Sequence, residues 1–81
     1  MARLIKANNF VTNDVDVSTL ERMQKMVGGY IEFVYRHAEG KILICNEEGL
    51  LLDLPINEQI DKKYGIHLRG DVIEATSTEL N

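Results

Sequence analysis

The densest set of chemistry-bearing side chains in the sequence is Asn46-Glu47-Glu48-Gly49. Two adjacent carboxylates could grip a hydrated cation or a donor-rich ligand. Magnesium and calcium, however, need several converging oxygens, and this segment offers a single cluster. Asn and Gly are also the residues that a tight turn wants. Glu32 stands in the otherwise apolar run Tyr30 to Tyr35. Buried, it could act as a general base with a raised pKa. The plainer reading is a solvent-facing position on a half-exposed sheet. Tyr30, Glu32 and Arg36 share one side of an extended chain and could form a polar binding row.

His37, His67 and Cys45 exhaust the histidines and cysteines, and none is at ligand spacing with another. Zinc needs three or four close ligands, so no metal is expected. Cys45 has no Cys-x-x-Cys partner and reads as a small buried hydrophobe in a reducing compartment. No local signature of a Ser/His/Asp nucleophile is present, and Gly28-Gly29 is too short for a phosphate loop. Arg69-Gly70-Asp71 spells an adhesion tripeptide, which a Gly-Asp turn before a strand explains. An enzyme built on Glu32 or the Glu47/Glu48 pair would need a pocket and a partner group that the sequence does not display. The chain is therefore expected to have no cofactor and no catalytic residues.

These residues must be positioned by a small set of elements. Residues 2–6 read as a short strand, Asn8-Asn9 as a turn and Phe10 to Thr12 as a brief second strand. Ser18 and Glu21 have the spacing of a capping box, opening a helix with Leu20, Met23, Gln24 and Val27 on one side. Gly28-Gly29 ends it. Tyr30 to Arg36 is the clearest strand, with Ile31, Phe33 and Tyr35 opposite Tyr30, Glu32, Val34 and Arg36. A hairpin loop at 37–40 leads to a strand over Lys41 to Cys45, a turn at 46–49 and a third strand over Leu50 to Leu54. Asn57 caps a short helix with Ile56, Ile60 and Tyr64 in a stripe, Lys62 and Lys63 in the last turn, and Gly65 as the stop. Gly70-Asp71 turns the chain into a final strand over Val72 to Thr76, and residues 77–81 are expected to fray.

The expected fold is α+β: an antiparallel meander sheet with one main helix packed on one face and a second short helix. The crossover between residues 6 and 29 is long enough for the first strand to lie parallel to Tyr30–Arg36. Eighty-one residues, 44% hydrophobic and 27% charged, suit a single soluble domain over 1–81 rather than a disordered or fibrous chain. There is no apolar run long enough to span a membrane and no apolar leader of the secretory kind. Cytoplasmic localisation is expected.

The net charge of −4 is unevenly spread. Residues 1–36 hold five basic and four acidic side chains, residues 37–81 four basic and nine acidic. Direct nucleic-acid binding is not expected of such a chain, because phosphates call for a basic face. An acidic face formed by Glu47, Glu48, Asp53, Glu58 and Asp61 would instead suit a basic protein partner.

The ordered set Val27-Gly28-Gly29-Tyr30-Ile31-Glu32, Glu47-Glu48-Gly49, Leu54-Pro55-x-Asn57 and Gly70-Asp71 resembles a family of unknown function. Its members are small proteins of bacteriophages, plasmids and integrative elements. The likeness covers roughly residues 4–76. The chain departs from it at Asn46, where members often have Asp, and at bulky residues such as Ile60, where Ala is common. The resemblance implies a mobile-element origin and a bacterial cytoplasmic setting. It supplies no catalytic residues.

Together these readings point to a non-enzymatic accessory protein that binds and inhibits a host factor, such as a nuclease or another defence component, in the manner of an anti-CRISPR inhibitor. The alternative is an oligomeric binder that sequesters a nucleotide signal through Tyr30, Glu32, Arg36 and Asn57. A homodimer could assemble a shared pocket for it.

Overall fold

The computed structural model describes residues 2–36 and 40–80, and of Tyr35 and Arg36 the backbone alone. Five antiparallel strands form one sheet: β1 (Arg3–Ile5), β2 (Val11–Asn13), β3 (Ile31–Arg36), β4 (Lys41–Asn46) and β5 (Val72–Thr76). Their order is β2-β1-β5-β4-β3, so the fold is α+β with the C-terminal strand in the middle. Helices α1 (Leu20–Val27) and α2 (Glu58–Tyr64) complete it, with a 3₁₀ turn at Ser77–Leu80.

Strand alternation explains why both helices are needed. Leu4, Ile42, Ile44, Ile73 and Ala75 project to one side of the sheet and pack with Met23 and Val27 of α1. Ile5, Leu43, Cys45 and Val72 project to the other and pack with Ile60 and Tyr64 of α2. β4 and β5 are thus buried on both faces, and both carry consecutive apolar residues, Ile42 to Cys45 and Val72-Ile73, rather than strict alternation.

Four expectations are corrected. The first strand does not lie parallel to β3; it pairs antiparallel with β2 and β5, two strands away from β3. Leu50 to Leu54 form no strand. Both sides of β4 are taken, by β3 and β5, so the meander has no place for a third member. The cap of α1 is Thr19, whose hydroxyl accepts from the Arg22 amide at 3.2 Å, and not Ser18. Ser18 instead donates its amide to Asp16 at 2.8 Å. Leu20 accordingly lies outside the buried stripe and is 53% exposed. Residues 77–80, expected as a frayed end, form a 3₁₀ turn in which Glu79 accepts from the Thr76 amide at 2.9 Å and Leu80 packs on the α1 core.

The second helix agrees with expectation except at Ile56, which precedes the cap and is 39% exposed instead of joining the buried stripe. Asn57 caps it, Gly65 ends it in a left-handed conformation, and Ile60 and Tyr64 are its buried residues. The hairpin loop expected at 37–40 lies outside the described residues except for Gly40.

Candidate protein-docking surface

β4 ends at Asn46, a buried residue that anchors the turn after it. Its side-chain amide donates to the Val27 carbonyl at 3.1 Å, and its side-chain oxygen accepts from the Glu48 amide at 2.8 Å. The chain then closes on itself. Gly49 donates to the Asn46 carbonyl, Leu52 to that of Glu48, Asp53 to that of Leu50 and Leu54 to that of Gly49, all between 2.8 and 3.1 Å. Gly49 sits at a close approach: a β-carbon there would lie 3.1 Å from the Arg69 side chain and 3.3 Å from its carbonyl oxygen, so those neighbours would have to give way. Asp53 takes a left-handed backbone with φ of 53°, a conformation that aspartate tolerates better than most residues.

The far end of this loop is equally tied down. The Arg69 guanidinium donates to the Leu54 carbonyl at 2.9 Å and lies 3.6 Å from the Asp53 carboxylate. Asn57 and Gly70 add backbone bonds to Leu68 and Pro55 at 2.8 and 2.7 Å. The result is an ordered projection with Leu50, Leu51 and Leu52 at its tip, 75%, 79% and 53% exposed. Contiguous exposed apolar side chains on an ordered element mark interaction surfaces. The apolar run of 50–54 concealed this, because a run of leucines reads equally well as a buried strand.

Glu47, Glu48 and Asp53 flank the three leucines along the chain, and all three are exposed. Glu58 is exposed in the first turn of α2. Asp61, half-buried, lies 3.8 Å from the His67 ring. Beside the loop runs a cleft of about 280 Å³ lined by Glu32, Cys45, Glu47, Leu50, His67 and Arg69. Burial, reinforced by the nearby Glu32 charge, pushes the Cys45 thiol up to about 11, so it faces the cleft as a neutral group.

Of the residues of the ligand-binding alternative, Tyr30, Glu32 and Arg36 share the parity of one strand face, and Asn57 stands apart from them. Tyr30 and Glu32 are exposed, which is the plainer, solvent-facing reading of Glu32 and not that of a buried base. Asn57 is fully buried, and its amide donates to the carbonyls of Ile5 and Gly70 at 2.7 and 3.0 Å. Its oxygen accepts from the Ile60 amide at 3.2 Å. Its polar atoms are spent on joining α2 to the sheet. Arg36 is placed by its backbone on the same strand face as Glu32.

Sequence reasoning missed Glu74. It is 1% exposed at the centre of β5. Arg3 donates to one carboxylate oxygen through two nitrogens, at 3.0 and 2.7 Å. Lys63 at 2.7 Å and the Tyr64 hydroxyl donate to the other. Lys41 stands 3.8 Å away. Burial alone would raise the carboxyl pKa, but the hydrogen bonds from Lys63, Tyr64 and Arg3 outweigh it and hold it at about 2. The available signal was the position of Glu74 in the run Val72-Ile73-Glu74-Ala75, but its partners come from β1, β4 and α2. Only the strand order reveals them.

No described helix is long and apolar enough to cross a membrane. The model of DUF3846, a domain of unknown function, matches residues 3–79. The chain belongs to the DUF3846 family. No curated protein and no solved structure matches it. Family membership thus names a fold unit without assigning it chemistry, and function has to be argued from the surface.

Proposed function

We propose that this DUF3846 chain is a non-enzymatic accessory protein that binds a host protein through the Leu50–Leu52 projection and inhibits it. The observation that carries this reading is the exposure of those three leucines on a loop fixed by hydrogen bonds at both ends. Burying one leucine contributes about 2 kcal/mol, whereas an exposed ion pair contributes about 0–1 kcal/mol. The leucines therefore supply the anchor, and Glu47, Glu48 and Asp53 steer it. A loop already ordered also loses little entropy on docking.

The same charges choose the kind of partner. Carboxylates beside the leucines oppose an anionic lipid surface and nucleic-acid phosphates. They favour a protein groove that is apolar at its floor and rimmed by Lys and Arg. In the mobile-element setting that the sequence resemblance implies, such a partner is a host factor with a basic face, for example a defence nuclease of the kind blocked by anti-CRISPR proteins. A bacterial cytoplasm is the compartment in which they would meet.

The test is capture from a bacterial host lysate with the wild-type chain and with a Leu50→Ser/Leu51→Ser/Leu52→Ser variant, and then binding of the purified captured protein. The expected result is a basic-faced protein bound by the wild type, lost by the variant and bound more weakly as salt is raised. Equal binding by both chains would overturn the reading.

A further inference from the structure

We propose that a second copy of this chain pairs with the open edge of β3, in antiparallel register centred on Val34, to continue the sheet across a two-fold axis. β3 is the last strand of the sheet, and among the described residues no strand lies on its outer side. It is six residues long and runs without a bulge against β4. It contains no proline or lysine, residues that commonly blunt such an edge, and its two charged residues, Glu32 and Arg36, are of opposite sign.

The backbone decides which registers are open to it. The Tyr30 carbonyl accepts from the Glu47 amide at 2.9 Å and so points toward β4. Peptide groups alternate in direction along a strand. Glu32, Val34 and Arg36 therefore also aim theirs at β4, leaving those of Ile31, Phe33 and Tyr35 on the open side. An incoming antiparallel copy must meet them with residues of the same parity. A register centred on Glu32 sets glutamate against glutamate. One centred on Phe33 sets Glu32 against Val34 and leaves both charges without a counterpart. The register centred on Val34 sets Glu32 opposite Arg36 of the second copy, and Phe33 opposite Tyr35 of the second copy. By symmetry each pairing occurs twice.

Opposite charges and aromatic pairs directly across two strands favour pairing, and like charges oppose it. The arrangement is self-complementary, as a two-fold interface requires. It also covers Phe33, which is 44% exposed in the single chain. This interface does not involve the leucine projection and stands or falls separately from it.

Sedimentation equilibrium of the purified chain tests the proposal. The wild type should dimerise. Glu32→Arg or Arg36→Glu alone should weaken the dimer by on the order of tenfold or more, since each sets like charges opposite one another. An equimolar mixture of the two variants should recover a heterodimer, because each then supplies the charge that the other lacks. A second readout is independent of charge. Val34→Cys, which faces itself across the axis, should form an intermolecular disulfide with oxidised glutathione, and Phe33→Cys should not. A monomeric wild type, a dimer indifferent to both reversals, or a mixture that fails to recover would overturn the register. So would cross-linking by both cysteine variants or by neither.

Discussion

Glu74 occupies a position where a single carboxylate holds together groups from four elements: Arg3 of β1, Lys41 of β4, Lys63 and Tyr64 of α2, and its own strand. Losing it would leave three cations crowded with no counter-charge. Glu74→Gln is expected to destabilise the fold by about 3 kcal/mol near neutral pH, measured by urea unfolding. The pH dependence has a definite sign. The folded carboxyl is held at about 2 against an ordinary 4.5, so its contribution is fully present above 4.5 and is lost as pH falls toward 2. Wild-type stability should therefore drop across that window, and the Gln variant should lose much less there. An equally steep drop in both proteins would show that other carboxylates dominate acid unfolding. Asn57 was legible as a helix cap from its place before Glu58. Its two bonds to backbone carbonyls were not, because Ile5 and Gly70 are distant in sequence.

At the scale of elements, the segment from Asn46 to Asn57 separates what local sequence can show from what it cannot. The Asn-Glu-Glu-Gly turn was readable, since its residues satisfy turn geometry locally. The leucines after it were not, since their fate depends on whether β4 has a free side. It has none, because β5 returns from the far end of the chain to fill it. The helices were more transparent: Gly28 and Gly65 both take the left-handed cap conformation that their positions suggest. Gly49 tests the loop as a unit. Gly49→Ala places a methyl against the Arg69 side chain and two carbonyl oxygens, at 3.1–3.4 Å. It should lower the unfolding free energy by about 1 kcal/mol and weaken partner capture while α1 stays intact. Unchanged stability and unchanged capture would mean that the loop adapts freely and that its order is not what presents the leucines.

The whole molecule is a sheet covered on one face by α1 and on the other by α2, and the features argued above to meet other molecules are the leucine projection and the outer edge of β3. The fold class could be read from alternating patterns and glycine stops, each of which is local. The strand order could not, since antiparallel pairing with either neighbour satisfies the same alternation. The acidic excess of residues 37–81 was visible in composition, but its use depends on the apolar group between the charges, which only the folded loop puts outside. Function on this account resides in an exposed anchor and not in a reactive centre. Its most direct test is photo-crosslinking in a bacterial host, with a benzophenone side chain placed at Leu51 and, as a control, at Thr12 on the opposite edge of the sheet. The account expects one defined host protein attached through position 51 and not through position 12; no adduct at 51, or the same adducts from both positions, would contradict it.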